Sequence, residues 1–288
     1  MDRKWAVDCT MRELVDIWNI SFEGYAVDVK MTPATMIERV ANENLDLTRS
    51  VVCFERGKPA GIVMNSFREI DGKNYAWNGG TGIPVAFRGK GVSRYLMGSV
   101  DQVYKDNNVD IAVLEAISSN EKAINLYEKN GYVIDNRLKF LKAEKIVKSK
   151  LTSPTKYQIE DIPKEKIQSL SFYREEVPWQ NQLKSLKGAE CKWLVEDGSP
   201  VAYAVYRSSY DQLGSLERVV LHQCSIDSKS VEGEEKIRLL LADVFQVEKG
   251  DFPRVISNFP VDDGWFIEIF QKMGFEELIE QVYMKKIY

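Results

Sequence analysis

The segment of this 288-residue chain best suited to chemistry is Arg88-Gly89-Lys90-Gly91-Val92-Ser93. It follows an extended run, Tyr75 to Ile83, that ends in Pro84-Val85-Ala86-Phe87, and it opens a helical pattern at Arg94. A glycine-rich turn at a helix start presents free backbone N–H groups and the positive end of the helix dipole, which bind phosphate without a basic protein around them. Arg88 and Lys90 add local charge, and two glycines let a bulky pyrophosphate approach the main chain where a Cβ would intrude. Alone, an Arg-x-x-Gly-x-Ser pattern fits an ordinary glycine turn equally well. Other reactive types are weaker signals. Cys9, Cys53, Cys191 and Cys224 stand far apart, without the spacing that chelates zinc, and read as buried thiols. The only histidine, His222, shares a strand face with Cys224 by the period of two, but no third group orients the pair, so core packing is the better reading.

Composition narrows the function classes. Lys plus Arg (39) against Asp plus Glu (43) leaves a net charge of −4, so the whole protein lacks the positive field of sequence-independent nucleic-acid binding, and any anion site must be local. Hydrophobic residues at 44% and charged ones at 28% are those of an ordinary water-soluble globular chain. The start, Met1-Asp2-Arg3-Lys4-Trp5, lacks an apolar leader, and no window holds the roughly 18 apolar residues of a membrane span. Cytoplasmic location, with no membrane or nucleic-acid partner, is the expectation.

The elements that must position the loop follow from periodicity and caps. Helices are expected near 11–22 and 33–43, then strands near 50–55, 59–69 and 74–84. A helix near 90–107, a strand near 111–117, a helix near 120–130 and a closing strand region near 132–142 complete the first half. Three strands joined by tight turns imply an antiparallel meander, and the later strand–helix–strand order adds parallel pairing, for a mixed α/β fold.

The chain also echoes itself. Phe54-Glu55-Arg56-Gly57-Lys58-Pro59 returns as Val195-Glu196-Asp197-Gly198-Ser199-Pro200, an offset of 141 residues. Leu126-Tyr127-Glu128-Lys129-Asn130-Gly131-Tyr132 returns as Ile269-Phe270-Gln271-Lys272-Met273-Gly274-Phe275, an offset of 143. Two similar offsets near half the chain argue for duplication of one domain. The charged and then Ser/Thr/Pro-bearing stretch Lys142 to Pro154 reads as the connection, giving domains 1–148 and 155–288 with a boundary near 150.

Downstream of the loop, Val113-Leu114-Glu115-Ala116 leads through Asn120 into a helix that ends at Gly131. With both segments in this order, the sequence resembles the GNAT superfamily of acyl-CoA-dependent N-acyltransferases. The match lies in its Arg/Gln-x-x-Gly-x-Gly/Ala pyrophosphate signature and its Leu-Glu-x…Asn-x-x-Ala-x-x-Leu-Tyr-x-x-x-Gly-Phe segment. It is strong over residues 75–135 and weaker over 10–142. Ser93 departs from Gly/Ala but is small, and Tyr132 stands where Phe is usual.

The resemblance implies two tandem GNAT-like domains of α/β class, each a mostly antiparallel mixed sheet flanked by helices, with acetyl-CoA as cosubstrate and no metal. The implied reaction is direct transfer to a primary amine. Ile83 and Val85 would offer main-chain groups to the pantetheine arm, Arg88, Gly89, Lys90, Gly91, Val92 and Ser93 would hold the pyrophosphate, and Asn120 would contact the cofactor arm. Tyr127 matches the family tyrosine that protonates the departing thiolate, a role suited to a phenol pKa of about 10. It also reads, less strongly, as a half-buried helix aromatic. Glu115 stands twelve residues before Tyr127 and five before Asn120, a spacing similar to the Nα-acetylating branch, where a glutamate here is the base. It also reads as a group bonding nearby backbone. Glu23 and Asp28 are fallback bases or substrate clamps, or simply solvated loop charges. The acceptor, a small-molecule or peptide amine, is not fixed, homodimer formation is open, and the rival from another class is a non-catalytic acyl-CoA-binding sensor.

Adding 143 to the loop lands on Val231-Glu232-Gly233-Glu234-Glu235-Lys236, where carboxylates replace the basic turn, and Tyr127 pairs with Phe270. Like charge beside a pyrophosphate is repulsive. The second half is therefore expected to be a degenerate domain, with Phe172 to Trp179 either walling the acceptor site or making an interdomain contact.

Overall fold

Thr10 and Glu13 cap each other: Glu13 N–H donates to Thr10 Oγ1 (3.2 Å) and Thr10 N–H to the Glu13 carboxylate (2.7 Å). That reciprocal bond starts the first helix, and Thr32 with Thr35 repeats it ahead of Pro33 at the start of the second. The computed structural model describes residues 1–147 and 156–288. In chain order its elements are β1 (Asp2–Trp5), α1 (Met11–Ser21), α2 (Pro33–Glu43), β2 (Val51–Glu55), β3 (Lys58–Ile70), β4 (Lys73–Gly82), α3 (Val92–Asp106), β5 (Ile111–Ile117), α4 (Glu121–Lys129) and β6 (Val133–Ala143). They continue as β7 (Tyr157–Asp161), α5 (Lys164–Ile167), β8 (Glu190–Glu196), β9 (Ser199–Tyr210), β10 (Leu216–Ile226), α6 (Gly233–Val244), β11 (Arg254–Pro260), α7 (Gly264–Lys272) and β12 (Glu276–Ile287). The expected elements of the first half stand within two residues of their predicted bounds, while β1 was not expected.

The chain forms two compact units, 1–135 with 282–288, and 136–281. In the first, strands run β1-β2-β3-β4-β5 with the C-terminal part of β12 beside β5. All pairings from β1 to β4 are antiparallel, and β4 with β5 is parallel. Its core gathers Val51, Ala60, Val63, Leu96, Val100, Ala112, Leu114 and, from the far end of the chain, Val282 and Met284. Burying each such side chain contributes roughly 1.5–3 kcal/mol. The last residues are further held by Lys286 and Tyr288, both bonded to Asp101 on α3.

In the second unit the strands run β11-β10-β9-β8-β7, with the C-terminal part of β6 antiparallel to β11 (Leu138↔Pro260 to Ala143↔Arg254). Leu141 and Ala143 join its core with Leu221, Leu240, Leu241, Ile256 and Phe270.

These units do not follow the expected domains 1–148 and 155–288. Residues 136–147 belong to the second unit and 282–288 to the first. The reason is strand pairing: β6 finds its partner in β11, and the last strand completes the core beside β5. Lys142 and Ala143, read as connection, are strand. The boundary near 150 lies outside the described residues.

The internal echo is structural. Arg56 and Gly57 (φ 52° and 75°) and Asp197 and Gly198 (φ 49° and 77°) make the same left-handed two-residue hairpin turn. Gly131 and Gly274 (φ 87° and 94°) close corresponding helices, α4 and α7. Among the described residues, no helix is long and apolar enough to cross a membrane.

Candidate active site

The site begins where two parallel strands part. β4 and β5 pair from Tyr75↔Ile111 to Asn78↔Leu114 and no further, although β4 continues to Gly82 and β5 to Ile117. Gly79 is the bulged residue of β4, between the pairs Met64↔Gly80 and Asn65↔Asn78. The glycines here serve close packing: an added Cβ would lie 2.6 Å from the Trp77 ring at Gly79, 2.7 Å from Trp18 at Gly80 and 2.6 Å from Phe22 at Gly82. Trp18 and Phe22 stack at 4.2 Å, and Tyr25 meets Phe22 edge-on at 5.5 Å. An aromatic row from α1 and the following loop thus runs along the diverging end of β4.

The loop after β4 leads into α3, whose N-cap is Gly91 with φ 83° and no side-chain cap. The first-turn N–H groups therefore face outward without an intrahelical partner. A Cβ at Gly89 or Gly91 would meet nothing within 4 Å, so both positions open onto space. Lys90 is exposed, Ser93 is half-buried in the first turn, and the Val92 side chain is 1% exposed, anchoring the helix start in the core. Arg88 is placed differently from the expectation: Nε donates to Ile83 O (2.9 Å) and Nη2 to Glu23 O (2.8 Å). It braces the loop against the segment after α1. The Ile83 carbonyl accepts from Arg88 Nε and the Val85 carbonyl accepts Arg88 N–H (3.2 Å), each through one of its two lone pairs.

Asn120 is the N-cap of α4, its side chain accepting Ala123 N–H at 3.2 Å, and it faces the Tyr25 hydroxyl. Tyr127 is 6% exposed, with its hydroxyl on the side of Thr81 on β4. Thr81 in turn accepts from Asn78 Nδ2 at 2.9 Å. Burial pushes the Tyr127 phenol up to about 12. At that value the phenol lies further above a thiolate than a free phenol does.

Glu115 lies on β5 just past the last paired residue. Trp77 Nε1 donates to its Oε2 at 2.7 Å, while Oε1 is buried with no hydrogen-bond partner among the described residues. Burial raises the carboxyl to about 7; the Trp77 bond lowers it, Glu43 raises it and Arg39 lowers it. Arg39 and Glu43 pair on α2 at 2.7 Å, with the guanidinium 4.7 Å above the Trp18 ring and its Nη2 on Gly79 O. A carboxyl titrating near neutrality is the property a general base requires. Glu23 and Asp28 are exposed on the loop after α1; the Asp28 carboxylate caps Lys30 N–H (3.0 Å). Both line a cavity of about 510 Å³ with Ile20, Phe22, Ala26 and Val27.

Sequence reasoning missed Trp77, Thr81, Asn78, Tyr25 and the Arg39–Glu43 pair. The only available signal was the i,i+4 spacing of Arg39 and Glu43 on a helix; the others depend on the parallel register of β4 and β5 and on loop placement.

The second unit lacks this constellation. The N-cap of α6 is Glu232 at φ 57°, so the counterpart of Gly91 lies 141 residues on, not 143, and Lys236 corresponds to Tyr95 rather than Ser93. Lys236 is 2% exposed and donates to Glu196 (2.6 Å) and Ser230 Oγ (2.8 Å). Asn258, at φ 48°, stands where β5 has Glu115, and Phe270 where α4 has Tyr127. Asn181 donates to Ser257 O (2.7 Å) and Asn258 O (3.3 Å), so the unit's own chain fills the end of β11. The Phe172–Trp179 segment belongs to this packing: Phe172 and Tyr173 lie 6.1 and 6.2 Å from the Tyr203 ring, and Trp179 is fully buried. His222 is half-buried at a bulge of β10 between Leu221 and Gln223, so it does not share a regular strand face with Cys224; its Nδ1 is 3.2 Å from Asn181 Oδ1 and burial pushes its pKa down to about 3. Burial pushes the Cys224 thiol up, and all four cysteines are free.

Residues 11–132 match the acetyltransferase (GNAT) family. In fold, the chain is similar to a tandem GNAT protein from the clavulanic acid biosynthesis pathway, solved without AcCoA (13% identity, 99% of this chain and 98% of that one, TM-score 0.68). It is similar also to the glucosamine N-acetyltransferase region of a fungal multi-domain GH3 β-N-acetylglucosaminidase (12% identity, 99% of this chain and 38% of that one, TM-score 0.74). A GCN5-related N-acetyltransferase from Sphaerobacter thermophilus is a third (10% identity, 99% and 95%, TM-score 0.68). At these identities the likeness establishes the fold, two GNAT-like domains in tandem. No curated protein sequence matches the chain.

Proposed function

Because residues 11–132 belong to the acetyltransferase (GNAT) family, whose fold serves acyl transfer, we propose that this protein moves the acetyl group of acetyl-CoA to a primary amine, with the first unit as the catalyst. The observation that carries the reading is the buried Glu115 carboxyl, titrating near 7 where β4 and β5 part. The uncapped start of α3, with its two glycines opening onto space, suits a pyrophosphate, and Lys90 adds charge beside it. Val92 and Ser93 would contribute first-turn N–H groups, and Arg88 would hold the loop in shape.

In the reaction the amine lone pair attacks the thioester carbonyl, a C–N bond forms and the C–S bond breaks. Glu115 takes the proton the amine loses, directly or through water, and the Tyr127 hydroxyl turns from Thr81 to the departing sulfur. Most of the rate comes from holding amine and thioester together, as for any direct transfer. The cavity of about 510 Å³ after α1, lined by Ile20, Phe22, Ala26 and Val27 with Glu23 and Asp28, suits an amine carried on a partly apolar body.

The test is thiol release from acetyl-CoA with a panel of aminoglycosides, polyamines, amino acids and short peptides. Amine-dependent release that collapses in Glu115→Gln supports the reading. Tight acetyl-CoA binding with no release from any amine class would favour an acyl-CoA sensor instead.

A further inference from the structure

Trp77, on β4, lies against the Glu115 carboxyl. It is 1% exposed, and its indole is confined from several sides. Gly79, two residues on, lies so close that a Cβ there would stand 2.6 Å from the ring. The Gly79 carbonyl is held by Arg39, whose guanidinium is itself paired with Glu43. The parallel register sets Trp77 opposite Val113 and Asn78 opposite Leu114, which brings the indole to the level of Glu115 on the neighbouring strand. The result is one bond, Nε1 to Oε2 at 2.7 Å, on a carboxylate whose other oxygen is buried without a partner.

We infer that Trp77 is a positioning residue for Glu115: its indole N–H holds one carboxylate oxygen and so fixes the orientation in which the other, Oε1, can accept a proton, directly or through water. The inference rests on Glu115 being the base. The physical logic is that a carboxylate free to rotate in an apolar pocket spends little time in the reactive orientation, and a single donor removes that freedom. The same bond favours the charged form, opposing burial, and so keeps the base usable at neutral pH. The charged groups acting on Glu115 are Glu43 and Arg39, both from α2, and Arg68 on β3 acts in turn on Glu43.

The experiment is the pH profile of kcat/KM for wild type and Trp77→Phe. Loss of the N–H donor raises the Glu115 pKa, so the acidic limb moves upward. A shift of about one unit from near 7 adds about a fivefold loss at pH 7 to the pH-independent loss that a freely rotating carboxylate brings, with acetyl-CoA affinity unchanged. An unshifted limb, whatever the uniform loss, would overturn the inference. Should Trp77→Phe fail to fold, benzothienylalanine placed at position 77 keeps the ring shape without the N–H and gives the same readout. Glu115→Gln separates the two levels: full activity in that variant sinks the base reading. An inactive Glu115→Gln beside an unshifted Trp77→Phe profile sinks only the positioning role.

Discussion

The two units carry the same scaffold and opposite chemistry. Both have the left-handed hairpin turn, both have a helix closed by a left-handed glycine, and both have a parallel strand pair in a mostly antiparallel sheet. In the first unit the helix after the parting strand starts at Gly91, the neighbouring strand carries Glu115 and the next helix carries Tyr127. In the second, the corresponding positions are Glu232, Asn258 and Phe270, and Asn181 lies against the strand end. Three substitutions and one inserted side chain separate a cleft from a core. What persists is what folding needs; what is lost is what only a ligand would need.

The comparison breaks most sharply at Glu115. Glu115→Gln, an amide like Asn258, is expected to lower turnover at least a hundredfold while acetyl-CoA affinity holds, measured by thiol release and calorimetry. The same variant is expected to be more stable at high pH. The folded pKa is raised from about 4.5 to about 7, so the folded state loses stability as pH rises through that window, and wild type above pH 7 bears a cost on the order of 3 kcal/mol that the amide avoids. Chemical denaturation at pH 5 and pH 8 checks the sign: the gap between variant and wild type should widen at pH 8.

In the second unit the expected loss is structural. Glu196→Gln leaves the Lys236 ammonium, 2% exposed, without its carboxylate and should cost on the order of 2 kcal/mol of stability, less than for a fully buried pair because Glu196 is 21% exposed. Turnover by the folded protein should not change; a change would mean that the second unit takes part in the reaction.

Gly91→Glu, which copies Glu232, sharpens the comparison from the other side. A carboxylate at the start of α3 should weaken acetyl-CoA binding at least tenfold, about 1.4 kcal/mol, with the loss shrinking as salt rises. Tyr127→Phe, which copies Phe270, should have the smallest effect, about tenfold in kcat, since burial already makes the phenol a weak acid. Binding should not change, and an unaltered kcat would remove Tyr127 from the reaction.

Much of the first unit was legible because its signals are local. Thr10 with Glu13 and Thr32 with Pro33 and Thr35 state where helices begin, and Gly131 states where one ends. The loop Arg88–Ser93 could be read as an anion site from its glycines and its place before a helix. The roles of individual side chains were less legible. Arg88 braces carbonyls, and the glycines of Gly79-Gly80-Thr81-Gly82 make room for aromatic rings rather than for a ligand. Each depends on a partner far away in the chain.

Local sequence was enough for the element order of the first half after β1, for the duplication, for the loop that suits a phosphate and for the loss of that loop in the second half. Tertiary structure alone decided which unit each strand joins, with residues 136–147 going to the second and 282–288 to the first. It also decided that Glu115 meets Trp77, 38 residues away, and that Asn181 closes the second cleft. Caps, turns and periodicity are set by neighbours within a few residues. A strand's pattern of alternation is the same whichever strand it pairs with, so its partner is chosen by the burial and hydrogen bonding available once the chain has folded.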